Sequence, residues 1–180
     1  MTVSFQPTTS WSPALIGLGS NLGDGRAQLA AAWARLAAAE GIRPGAISRP
    51  YATAPVGVET SRPFTNAVGM VHTVLEPETL LGVLLAIETA MGRDRRQGPD
   101  RPVDLDLLTH GERRITSPSL ILPHPRLCER AFVLVPLVEL VPDGRHPVLS
   151  HTWAELLAAL GPGGSHGVEP RSWRPGEIKL

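Results

Sequence analysis

The chain has one cysteine, Cys128, in 180 residues. A single thiol can neither staple a fold nor build a cysteine zinc site, and it points to a reducing compartment. Aromatic residues make up only 4%, too few for the stacking surface that an RNA-binding sheet presents. No charge of either sign dominates, because 17 Lys and Arg face 17 Asp and Glu. No overall field therefore draws the chain to nucleic acid or to an anionic membrane, and a charge-driven function must come from local clusters. No apolar run approaches the roughly 18 residues that span a bilayer. The start, "MTVSFQPTTSWSP", lacks the basic-then-apolar order of a secretion signal. A cytoplasmic protein with no membrane and no nucleic-acid partner is expected.

Hydrophobic residues make up 42% and charged residues 19%, the balance of a soluble domain with enough chain for a real core. Residues 1–13 read as a polar arm, 14–160 as the folded domain, and 161–180, rich in Gly and Pro, as a loose tail. "ALIGLGS" (14–20) reads as a buried strand. "RAQLAAAWARLAAAE" (26–40) reads as a helix, with Leu29, Trp33 and Leu36 at helical spacing and Gly41 as its stop. Strands are expected over 46–52 and 64–75, with a loop between them. Pro77 opens a second helix that runs to Met91. "VDLDLL" (103–108) is the next strand, and 117–127 a loop with a short extended piece. Pro136 is expected to break the apolar "AFVLVPLVELV" (131–141) into a strand and a turn, and 151–160 to form a short helix. The order β-α-β-β-α-β is the split-βαβ, ferredoxin-like arrangement. It predicts an α+β fold: an antiparallel sheet with two helices packed on one face, the other face free for a site, and C-terminal additions.

The chemistry concentrates in "GRDRRQGPDRPVDLDLLTH" (92–110). Asp104 and Asp106 are two apart on a strand, so they share a face, with Cβ atoms roughly 6–7 Å apart. Like charges this close repel, and a cation removes the penalty. Magnesium typically takes one or two carboxylates plus phosphate oxygens. The bland alternative, a solvated face on which these aspartates pair with arginines, weighs about equally on spacing alone. Arg93, Arg95, Arg96 and Arg101 precede the strand, and guanidinium groups bind phosphate in a forked geometry. Alone they would read as a basic loop balanced by Asp94 and Asp100; beside two carboxylates they suggest a polyphosphate clamp. "PHPRLCER" (123–130) adds His124, Arg126 and Arg130. "GLGSNLGD" (17–24) spaces its glycines one residue too widely for a dinucleotide fingerprint and lacks the Gly-Lys-Ser/Thr of a P-loop. It reads as a tight strand-to-helix turn. Glu88 falls on or beside the apolar stripe of its helix. Asn66 offers an amide that can both donate to and accept from a heterocycle. Phe64 and Phe132 can stack on a flat ligand.

In order, "GLGSNLGD", "YATAPVG", "FTNAV", "LLAIETAMGRDR", "RPVDLDLL" and "LPHPRLCERAFVLVPL" resemble the pattern of the 6-hydroxymethyl-7,8-dihydropterin pyrophosphokinase family, over residues 15–142. The resemblance implies a ferredoxin-like fold. It implies transfer of pyrophosphate from ATP to the pterin hydroxymethyl oxygen, with release of AMP, in folate biosynthesis. It further implies two magnesium ions on Asp104 and Asp106, which with Arg93 and Arg95 make the catalytic set. Nucleotide contacts would come from Glu88, Arg93, Arg95, Arg101, His124 and Arg130. A pterin slot would be lined by Thr53, Val56, Phe64, Asn66 and Phe132. A monomer is expected. The rival readings are another magnesium-dependent nucleotide enzyme, such as a phosphohydrolase, and a non-catalytic RNA-binding module.

One segment departs from the family pattern. The family's longer loop, of the type "GR-x-R-x-x-x-R-W-G-P-R-T-x-D-x-D", is here "GRDRRQGPDRPVDLD" (92–106). The tryptophan is missing, and Asp100 places a negative charge just before Arg101. The choice between Arg95 and Arg96 as phosphate ligand stays open.

Overall fold

A computed structural model describes residues 10–94, 96, 98–162 and 167–178. The elements in chain order are β1 (Ser12–Ser20), α1 (Gly25–Ala37), β2 (Ile42–Ile47), β3 (Tyr51–Thr53), β4 (Phe64–Thr73) and α2 (Pro77–Ala90). They continue with β5 (Asp104–His110), β6 (Ile115–Thr116), β7 (Ile121–Leu122), α3 (Ala131–Leu140), α4 (Trp153–Ala159) and β8 (Val168–Pro170). The main sheet runs β5-β1-β4-β3-β8, with β2 also on β4, and its pairings are antiparallel. The ferredoxin-like βαββαβ order expected from sequence is present. The strand expected over 46–52 is two pieces, β2 and β3, which pair with opposite ends of β4. No described helix is long and apolar enough to cross a membrane.

Strand alternation divides the sheet into two faces. Ile16, Leu18, Ala67, Val71, Leu105 and Leu107 point to the face covered by α1 and α2, which add Leu29, Trp33, Leu36, Leu80, Leu84 and Ile87. Gly69 in β4 makes room for Trp33: a Cβ there would overlap the indole ring. Asp24 caps α1 through its carboxylate, and Pro77 sits in the first turn of α2, where a missing N–H costs nothing.

The opposite face is not free along its whole length. Leu15, Val68 and Leu108 on it pack against Leu127, Val133, Leu134, Leu137, Trp153 and Leu156 from α3, α4 and the turn before them. This corrects the strand expected near residue 131. Ala131–Leu140 is a helix with Pro136 inside it. Burial of Val133, Leu134 and Leu137 against the sheet outweighs both the proline and the β-branched valines.

The tail is a second correction. Residues 168–170 add β8 to the edge of β3. Arg171 N donates to Pro50 O at 2.8 Å, and Trp173 Nε1 donates to Ser48 O at 3.0 Å. Trp173 and Ile178 pack on the core under α1 and α2. The described part of this segment is a strap along the sheet edge.

Candidate active site

Because α3 and α4 cover only one end of their face, the other end stays open, and the candidate residues collect there. Across the strands, Asp104 lies opposite Gly19, and Gly19 opposite Asn66; Asp106 lies opposite Gly17. The glycines leave a floor with no side chains between the carboxylates and the amide. A Cβ at Gly19 would come within 3.0 Å of Asn66 Oδ1, and one at Gly17 within 3.7 Å of Asp106 Cβ. Both glycines fall within the strand expected over 14–20, before its turn into the helix. The period-two spacing of Gly17 and Gly19 was the available signal that they share a face.

A cavity of about 200 Å3 lies over this floor, lined among others by Asp104, Asp106, Arg93, Arg101, Arg126 and Arg130. Gly92, with φ of +87°, ends α2 and turns the chain back, so that Arg93 NH2 comes 4.0 Å from Asp104 Oδ1. Arg101 NH2 is 2.9 Å from Asp104 Oδ2, and its guanidinium stacks 4.8 Å from the Phe64 ring centre. Arg130 NH1 is 3.5 Å from Asp106 Oδ2 and lies 5.6 Å from the Phe132 ring centre. Burial, and then repulsion from Asp104, raise the Asp106 pKa above the ordinary carboxylate value. The pair is thus electrostatically loaded even with arginines beside it. Among the described residues no cluster of three or more His, Cys, Asp or Glu side chains forms. Two adjacent carboxylates on an open floor still fit hard cations that draw their remaining ligands from phosphate and water.

Asp106 also borders a second cavity, of about 300 Å3, between α2 and the loop after β6. Leu81, Leu85, Leu105, Leu107, Leu120 and Ile121 line it, together with His124. The backbone N–H of Arg126 donates to His124 Nδ1 at 3.1 Å. A neutral ring therefore carries its proton on Nε2. Burial lowers the His124 pKa, which keeps that neutral form. A third, narrow cavity of about 30 Å3 brings together Thr53, Val56, Phe64, Asn66 and Phe132, with Arg101 at its side. Asn66 Nδ2 donates to Thr53 Oγ1 at 2.7 Å, which leaves the amide oxygen facing Gly19.

Two candidates have a different placement. Glu88 is 2% exposed, and its Oε1 accepts the backbone N–H of Leu105 at 2.7 Å. It does not line these three cavities. It braces the strand between Asp104 and Asp106. Arg96 is turned to its neighbour Asp94, with Nε 3.0 Å from Oδ1. Arg95 lies outside the described residues.

The slot's walls are pinned from behind. Glu139 on α3 accepts from Arg49 N at 2.7 Å, from Arg49 Nε at 2.8 Å and from Tyr51 OH. This ties β3, which carries Thr53, to the helix that carries Phe132. Burial opposes the Glu139 charge, but bonds from Arg49 and Tyr51 prevail and hold its pKa below the ordinary 4.5. Stability from a lowered carboxylate is present above that value and is lost as pH falls through the folded pKa. Glu139→Gln is therefore expected to cost about 1 kcal/mol at pH 7, since charge-assisted bonds become neutral ones at a partly exposed site. Melting curves should show a drop of about 2–5 °C at pH 7. The gap to the unaltered chain should close as pH falls through the lowered folded pKa and the native carboxylate itself becomes protonated.

A ferredoxin-like sheet bearing a carboxylate pair ringed by arginines, with a polar cavity on one side and an apolar one on the other, defines an enzyme of phosphoryl transfer. The family described as 7,8-dihydro-6-hydroxymethylpterin-pyrophosphokinase (HPPK) matches residues 15–142. A 2-amino-4-hydroxy-6-hydroxymethyldihydropteridine pyrophosphokinase of Methylorubrum extorquens is 46% identical over 158 residues, 87% of this chain and 98% of that one. One of Pseudomonas aeruginosa is 42% identical over 146 residues, 80% of this chain and 89% of that one. Plasmodium falciparum HPPK-DHPS, solved with pteroate, shares the fold with a TM-score of 0.69 at 14% identity; the match covers 83% of this chain and 44% of that one. The chain belongs to the HPPK family, and is a diphosphokinase, a transferase of folate biosynthesis.

Proposed function

We propose that the chain transfers the β,γ-pyrophosphoryl group of ATP to the hydroxymethyl oxygen of 6-hydroxymethyl-7,8-dihydropterin and releases AMP. The observation that carries this reading is that the apolar cavity beside His124 and the polar cavity between the arginines meet at Asp106. A flat base fits between Leu81, Leu85 and Ile121, and its phosphate chain then runs past Asp106 toward Arg93, Arg101 and Arg130. His124 donates to a phosphate oxygen through Nε2–H. The pterin lies in the slot, against Phe64 and Phe132, with its edge on Asn66 and Thr53. Its hydroxymethyl group then points over the glycine floor at the transferring phosphorus.

Phosphoryl transfer is governed by positioning and by charge stabilisation. The guanidinium groups of Arg93, Arg101 and Arg130 hold the phosphates in line and offset charge as it shifts to the leaving oxygen. Asp104 and Asp106 would hold two magnesium ions together with phosphate oxygens of ATP; when bound, these supply further charge neutralisation and lower the pKa of a coordinated hydroxyl.

Product analysis tests the reading. Chain, ATP, magnesium and the hydroxymethyl pterin together should give AMP in step with pterin consumed. Chelation should stop this, and added magnesium should restore it. ADP, or AMP formed without pterin, would overturn it.

A further inference from the structure

The residue that sets this chain apart from the family pattern, Asp100, joins three segments. Its Oδ1 accepts from Asn21 Nδ2 at 2.7 Å. Its Oδ2 pairs with Arg62 Nε at 3.3 Å. The nearby Thr60 hydroxyl is the first cause that holds its pKa below the ordinary range, with Asn21, Arg62 and Arg101 adding to it. Asn21 belongs to the turn between β1 and α1; Thr60 and Arg62 belong to the loop between β3 and β4, which brings Val56, Gly57 and Val58 to the cavities.

Asn21 is 8% exposed and grips the next residue from both sides. Its Oδ1 accepts from Arg101 N at 2.8 Å, and its own N–H donates to Arg101 O at 3.1 Å. Arg101 NH1 donates to Pro99 O at 2.8 Å. With its backbone held in this way, Arg101 aims at Asp104 and over Phe64. The negative charge that Asp100 places before Arg101 is thus turned toward Asn21 and Arg62.

We propose that Asp100 is a positioning residue that latches the β3–β4 loop to the loop before β5 and so sets the mouth of the pterin slot. The proposal rests on the assignment of that slot. Arg62 and Asp100 are partly solvent-exposed, so the ion pair by itself is weak. The strength of the latch lies in its sharing one carboxylate with the buried Asn21. Its loss frees the loop that carries Val56 and Val58, and pterin binding suffers before ATP binding does.

The test is a cycle of Asp100→Ala, Arg62→Ala and the double variant, read by steady-state kinetics and by amide hydrogen exchange without substrates. Each single variant should raise the KM for pterin by about three- to tenfold, with the KM for ATP within about twofold, and the double variant should be no worse than the more severe single one. Asp100→Glu should recover part of the pterin KM. Exchange at the Arg101 and Arg62 amides should quicken by about fivefold or more in Asp100→Ala. Additive losses, or unchanged exchange, would overturn the latch. If the unaltered chain makes no pterin-dependent AMP, the proposed function fails instead, and the exchange result alone decides the latch.

Discussion

Asp106→Asn is expected to lower turnover by about 10³-fold or more, equivalent to about 4 kcal/mol of barrier, without weakening the fold. The two effects separate because the carboxylate is electrostatically unfavourable where it stands. Burial and repulsion from Asp104 raise its pKa, and an amide of the same shape removes that repulsion. Arg130 NH1, 3.5 Å away, can still donate to the amide oxygen. The melting temperature should therefore stay level or rise by a degree or so. Catalysis loses the group shared by the two cavities. Asp104→Asn should match it in turnover but not in stability, because Asp104 pairs with Arg101 at 2.9 Å and with the well-buried Arg93 at 4.0 Å. Rates of pterin-dependent AMP release, set beside melting curves, check both halves. Near-normal turnover in Asp106→Asn would remove the acid pair from the mechanism.

Glu88→Ala should do comparable damage by a different route. Its carboxylate accepts the N–H of Leu105, the residue between the two aspartates, from a position 2% exposed to solvent. Removing the acceptor strands a buried donor and leaves a cavity, a loss of about 2–4 kcal/mol. The strand that spaces Asp104 and Asp106 then loses its brace, and turnover should fall about 10²-fold with the geometry. Glu88→Gln keeps an acceptor of the same reach and should recover most of the stability and at least a third of the activity, by the same reasoning that a neutral bond replaces a charged one. Urea unfolding and kinetics on both variants distinguish a brace from a nucleotide contact. If Gln is as inactive as Ala while folding normally, the carboxylate charge acts on the nucleotide directly.

Much of the site was legible because it is written in short-range pattern. Alternation in "VDLDLL" puts Asp104 and Asp106 on one face and Leu105 and Leu107 on the other, and the structure agrees. The slot residues Thr53, Val56, Phe64, Asn66 and Phe132, expected from the family resemblance, do meet around one cavity. What escaped was long-range. Glu88 is expected near the nucleotide from the family resemblance; that its carboxylate also accepts from the backbone of another element is written in no local pattern. Asp100 reads locally as a negative charge before Arg101, and its partners Asn21 and Arg62 are distant in sequence. The tail looked loose because Gly and Pro dominate it, yet the open edge of β3 and an indole donor to Ser48 O hold its described part in place.

By itself, then, the sequence determined the β-α-β-β-α-β order at the centre of the fold, the faces of the strands that carry the site and the site's chemical character, since these follow from residue type at periods of two and 3.6. Only the tertiary structure decided that 131–140 is helical, that this helix leaves one end of the sheet open, and which carboxylates face the cavities. Each of these depends on what a side chain meets across the fold, where burial and hydrogen-bond partners outweigh local preference by more than any local pattern records.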